Sequence, residues 1–148
     1  MNELSNFDID EIVRKSKINN YYGCYSKDVL PSKMDNGYYI INLADDDQGG
    51  SHWTCLYKYD DDLNIYYDSF GFYPPYDVEQ KLKGYVLMNN QQIQDITDTS
   101  CGYYCIAFMK YMDKNKSKNP VQSFNKFLSF FDKNTYKNEI ILNDLLYN

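Results

Sequence analysis

Apolar positions follow two rhythms along the chain. In its middle, β-branched and aromatic residues form short runs bounded by Gly or Asp clusters, Tyr38–Leu43, His52–Tyr59 and Leu63–Tyr67, which is the pattern of strands. Asp60-Asp61-Asp62 joins the last two as a hairpin. That acidic run lacks the alternating oxygen ligands and the glycine of a calcium loop, and reads as a solvated turn. Tyr85–Met88 reads as a further buried strand, and Asn89–Ser100 has loop chemistry. Elsewhere the rhythm is helical. Asp8, with Glu11 three residues on, resembles a capping box, and Ile9, Ile12, Val13 and Ile18 then predict a helix over Ile9–Lys17. Pro75–Lys83 reads as a short helix. In Cys101–Met112, Cys105, Phe108, Met109 and Met112 recur at spacings of three and four, which makes this the central helix. Two more follow, Val121–Phe131 after Pro120 and Tyr136–Leu146, the latter with Ile140, Ile141, Leu145 and Leu146 as its buried edge. Strands in the middle with helices at both ends predict an α+β fold. No repeat or linker interrupts it, and Pro31, Pro74, Pro75 and Pro120 only punctuate elements, so 1–148 reads as a single compact domain.

Composition narrows the function. A chain of 148 residues can bury about 68–70% of its unfolded surface and needs no disulfide staples. With 15 Lys+Arg against 21 Asp+Glu, a net charge of −6 disfavours a phosphate-backbone binder, which shows a basic face. No basic leader precedes an apolar run, and no stretch approaches the roughly 18–20 apolar residues of a membrane span, so a soluble, unsecreted protein is expected. Its four cysteines then read as reduced thiols, with no Cys-x-x-Cys pair to form a redox dithiol or zinc knuckle. His52 is the one histidine. Zinc sites with several imidazoles are therefore excluded, and any Cys–His or Ser–His chemistry must run through His52.

Three segments together offer an acyl-transfer site: Gly49-Gly50-Ser51-His52-Trp53, Tyr67-Asp68-Ser69-Phe70-Gly71, and Gln94-Asp95 followed by Ser100-Cys101-Gly102-Tyr103-Tyr104-Cys105. Cys101 opens a helix, where free backbone N–H groups and the helix dipole favour a thiolate. Gly102 beside it permits close approach of a substrate backbone. If Asp60–Asp62 is the hairpin turn, His52 and Asp68 return to the same sheet edge as base and orienting carboxylate. Gln94 is an amide donor for an oxyanion, alongside the backbone N–H of Cys101. Singly, each has a plainer role: a small buried Cys, a satisfied His, a turn-capping Asp.

The combination resembles the adenovirus-type maturation cysteine proteases, the adenain family, which share a clan with the SUMO- and ubiquitin-like-specific proteases. Gly49-Gly50-Ser51-His52-Trp53 matches Gly-Gly-x-His-Trp, Asp68-Ser69-Phe70-Gly71-Phe72 matches acidic-x-Phe-Gly-Phe, and Gln94 through Cys105 matches Gln-x₆-Cys-Gly-x-x-Cys. Tyr22–Lys27 resembles the family's stretch before its first strand, so the likeness covers about residues 9–112. It implies a papain-like fold with a small mixed sheet flanked by helices and the nucleophile at the N-terminus of the central helix. It also implies nucleophile Cys101, base His52, orienting Asp68 and oxyanion-hole Gln94, with Gly50, Trp53 and Gly102 as substrate-binding residues. Substrates would be viral capsid or core precursors, cleaved after small residues such as Gly-Gly or Gly-x, in a virion or host cytoplasm.

The departures are informative. Adenoviral enzymes are basic and are activated by DNA and a disulfide-tethered peptide; this chain is acidic, with no Cys between Cys55 and Cys101. Neither activator is carried over, and a monomer without cofactor or metal is expected. Its richness in Lys, Asn, Tyr and Ile with one Arg, Arg14, fits an AT-rich genome such as those of large DNA viruses and virophages. A modifier-specific protease of the same clan and an idle capsid-associated binding module are the alternatives.

Overall fold

A computed structural model describes residues 1–44 and 52–147. Its architecture is α+β. The elements run α1 (Asn6–Lys15), β1 (Tyr21–Ser26), β2 (Gly37–Asn42), β3 (Trp53–Lys58), β4 (Leu63–Tyr67), α2 (Tyr76–Glu79), β5 (Tyr85–Met88), α3 (Cys101–Lys114), α4 (Pro120–Ser129) and α5 (Asn138–Tyr147), with two single 3₁₀ turns between them. The strands form one mixed sheet in the order β1-β2-β3-β4-β5. β2, β3 and β4 are an antiparallel meander, and the outer strands β1 and β5 pair parallel to their neighbours.

The central strands alternate with period two. Tyr38 and Ile40 on β2, Cys55 on β3, and Ile65 and Tyr67 on β4 face α1, α3, α4 and α5, while Tyr39, Ile41, Leu56 and Tyr66 face a smaller core closed by Leu30 and Val78. Both sheet faces are therefore covered, which explains why the middle strands read as nearly continuous apolar runs. α3 is the buried spine: Cys105, Ile106, Phe108 and Met109 are all inaccessible to solvent. Tyr67 at the end of β4 stacks on Phe108 at 5.1 Å between centroids and meets Phe124 and Phe127 edge-on, which fixes the point where β4 leaves the sheet.

Several local expectations are corrected. The first helix begins three residues early, capped by Ser5, with Asp8 as the reciprocal member of the box rather than its start. Tyr22–Lys27 contains a strand, β1, instead of leading up to one; Gly23 at φ +106° and a register shift between Tyr21 and Cys24 interrupt its alternation. β5 is an edge strand with Tyr85 exposed, not a buried one. α2 keeps a single turn. On α5 the inward residues are Asn138, Leu142 and Leu146, and Ile140 faces solvent.

Candidate active site

The β3–β4 hairpin assembles the first half of the site. Its turn is tied by the Asp60 carboxyl, which accepts the N–H groups of Asp62 and Leu63 at 2.8 Å each. Cys55 lies opposite Tyr67, so the residues flanking the paired region, His52 and Asp68, emerge at one end of the sheet. His52 Nε2 lies 2.7 Å from Asp68 Oδ1. The same Oδ1 accepts the Phe70 N–H at 2.8 Å, and the Phe70 ring stacks on the imidazole, centroids 4.3 Å apart and planes 18° from parallel. Asp68 is fully buried, and its Oδ2 has no partner among the described residues.

Asn89 holds the Asp68 backbone from the neighbouring strand end. Its Oδ1 accepts the Asp68 N–H at 3.1 Å and its Nδ2 donates to the Asp68 carbonyl at 2.7 Å. This pair of bonds imitates a strand ladder where β4 has already ended.

Cys101 is the first residue of α3, and its Sγ accepts the Trp53 backbone N–H at 3.5 Å. Ser100, at the cap position, makes no side-chain bond to the helix; its hydroxyl turns away to Asp98 Oδ1 at 2.7 Å. The first-turn N–H groups are thus left to whatever charge develops at Cys101. With Nε2 engaged by Asp68, Nδ1 is the ring nitrogen that remains for the thiol. Burial by itself pulls the imidazole down, but the bonds to Asp68 and then Cys101, with their charges, lift it to about 9. The bond to Asp68 thus favours the protonated ring. Burial pushes the Cys55 and Cys105 thiols well up and that of Cys24 to about 12.

Gln94 is buried on the loop leading to Cys101. Its Oε1 accepts the Ser69 hydroxyl at 2.6 Å and its Nε2 donates to the Asp98 carbonyl at 2.8 Å. The Ser69 carbonyl in turn accepts the N–H groups of Ile93 and Gln94, at 2.8 and 2.9 Å.

Trp53 is buried, its indole N–H donating to the Leu4 carbonyl at 2.9 Å. It forms one wall of a cavity of about 620 Å³ that Glu3, Ser5, Asp8, Ser26 and Asn42 also line. Gly102 is packed by the protein itself: a Cβ there would lie 3.2 Å from the Leu4 side chain and 3.5 Å from Ile9. Gly50 lies outside the described residues. The structure thus bonds His52 to Asp68 and the Cys101 thiol to the backbone of the residue after His52, links Gln94 to the Asp68 turn through Ser69, and gives Gly102 a packing neighbour.

Sequence reasoning assigned no role to Ser69, Phe70 or Asn89. The first two adjoin Asp68 in a quoted motif, which was the available signal; Asn89 reaches Asp68 from 21 residues away and carried none. Among the described residues no group of acidic, His or Cys side chains is placed to hold a metal ion, and no helix is long and apolar enough to cross a membrane.

No protein-family model and no curated protein matches the chain. Solved structures do, among them two of the ASFV pS273R protease. One shares 19% identity with a TM-score of 0.54, covering 82% of this chain and 60% of that one. Its selenomethionine form shares 16% at a TM-score of 0.53, covering 82% and 61%. The fold is therefore that of a viral protease structure, and the chain spans about three fifths of that neighbour's length.

Proposed function

We propose that this chain is a viral maturation-type cysteine endopeptidase acting on capsid or core precursors after small residues such as Gly-Gly. One observation carries the reading: the one imidazole lies 2.7 Å from a buried carboxyl group, and the residue after it donates its backbone N–H to a thiol at a helix N-terminus. The likeness to a viral protease structure supports the setting.

In this reading the Cys101 thiolate attacks the scissile carbonyl carbon, forming a C–S bond and moving the carbonyl π pair onto oxygen. The backbone N–H of Cys101 and the Gln94 amide receive that oxyanion. Collapse breaks the C–N bond, and His52 gives its proton to the departing amine. His52 then takes a proton from water, whose oxygen displaces the thiolate from the thioester. Asp68 keeps the ring oriented and its positive charge favourable throughout. The cavity beside Trp53 receives a substrate side chain near the cleavage point.

Cys101→Ala and His52→Ala should lose at least about 10³-fold in turnover of a Gly-Gly-containing peptide while melting as cooperatively as the parent. Normal turnover by Cys101→Ala would end the reading. A thiol-reactive peptide amide mimic should label Cys101 ahead of Cys24, Cys55 and Cys105, whose thiols burial holds protonated; equal labelling of all four would favour an idle binding module.

A further inference from the structure

We propose that Ser69 is the positioning residue of the oxyanion hole, its hydroxyl holding the Gln94 amide in the orientation that offers N–H, not oxygen, to the substrate carbonyl at Cys101. The inference rests on the thiol-protease reading and adds to it a residue outside the nucleophile, base, orienter and oxyanion donor.

A glutamine amide is nearly symmetric in shape and opposite in polarity at its two ends. Turned one way, Gln94 stabilises an oxyanion; turned the other, its Oε1 repels one. Two contacts decide the matter. The Ser69 hydroxyl donates to Oε1 at 2.6 Å, and the Asp98 carbonyl, which can only accept, takes one hydrogen of Nε2 at 2.8 Å. A flipped amide would set Oε1 against that carbonyl oxygen. In the proposal the second Nε2 hydrogen is the one that meets the oxyanion.

Ser69 also anchors the Gln94 backbone, its carbonyl accepting the N–H groups of Ile93 and Gln94. Both residues are buried, at 2% and 0% exposure, so water does not compete for these bonds and each is strengthened by its low-dielectric surroundings. Because Ser69 follows Asp68 directly, one turn sets both the imidazole and the oxyanion donor. Asp98 then completes the path to the nucleophile by accepting the N–H and hydroxyl of Ser100, at 3.0 and 2.7 Å.

The test separates thiol activation from oxyanion stabilisation. Alkylation of Cys101 by iodoacetamide needs the thiolate and no oxyanion hole; turnover of a Gly-Gly peptide amide needs both. Removal of one oxyanion donor lowers kcat about 10²–10³-fold. Ser69→Ala, which frees the donor to rotate without deleting it, should lower kcat about 10–10²-fold with KM and the pH profile of alkylation unchanged. Ser69→Thr, which keeps the hydroxyl, should recover most of the loss. Combined with Gln94→Ala, Ser69→Ala should add little, since both act through one amide. Should Ser69→Ala not fold, Ser69→Cys, close in size and a weak donor, should show the same kcat loss.

The proposal is overturned by full turnover in Ser69→Ala or Ser69→Cys, by alkylation slowing in step with turnover, or by additivity with Gln94→Ala. Failure of the underlying reading looks different: the parent's Cys101 would then show no thiolate reactivity at neutral pH.

Discussion

Asp68 carries a carboxyl group into a place solvent does not reach, with the Phe70 N–H and the His52 ring on Oδ1 and nothing among the described residues on Oδ2. A buried carboxylate so sparsely bonded is tolerable only when a cation faces it, and the imidazolium supplies that charge. The dependence is mutual. Burial works against the protonated ring and the Asp68 bond is the first of the effects that raise it to about 9. Asp68→Asn should therefore lower the His52 pKa. The alkaline limb of kcat/KM, set by loss of the imidazolium, should move toward acid by the same amount, and the peak value should fall about 10²–10⁴-fold. As His52 is the one histidine, its ring protons give a single NMR titration to set beside the rate profile. An unmoved limb would show that Asp68 does not govern the base.

At the level of elements, the turn from Asp68 to Gly71 does the joining. The Gly71 N–H donates to the Asp68 carbonyl at 2.8 Å, and Gly71 sits at φ +80°, where a Cβ would come within 2.8 Å of the Gln91 carbonyl oxygen. A side chain there is strained by its backbone and has no room. Gly71→Ala should cost about 1–3 kcal/mol in urea unfolding and lower turnover as well, since the same turn holds Asp68 and Ser69; an unchanged stability would refute the close approach. The elements differ in how legible they were. β2, β3, β4 and α3 carry their periodicity openly because both their sides are buried or cleanly divided. β1 does not, because Gly23 and a shifted register break the alternation that would mark it. α5 was legible as a helix but not in its facing: Asn138 turns inward to bond the Ile93 and Asp132 carbonyls at 2.8 Å each, rotating Ile140 out to solvent. A buried asparagine that serves two distant carbonyls leaves no trace in a hydrophobic pattern.

For the whole molecule, the pairing of His52 with Asp68 across one hairpin could be read from the sequence, and the contact of Asn89 with Asp68 from 21 residues away could not. What the fold adds globally is a linkage between the site and stability. The His52 pKa rises from 6.5 to about 9 on folding, so the native state binds the proton more tightly than the unfolded chain does. The resulting stabilisation is complete below pH 6.5, declines as the pH climbs, and is gone above about 9. A shift of this size corresponds to ~3 kcal/mol, a large share of the 5–15 kcal/mol typical of a domain. In Cys101→Ala, where no thiolate offsets the proton held by the imidazole, urea midpoints measured from pH 6 to pH 10 should fall as the pH climbs above 6.5 with an unchanged slope, and adding His52→Ala should flatten the curve there. Loss of stability on the acid side of 6.5 would have to come from carboxyl groups. A Cys101→Ala midpoint that stayed constant between pH 6.5 and 9 would mean that the bond to Asp68 does not hold the folded ring as an imidazolium.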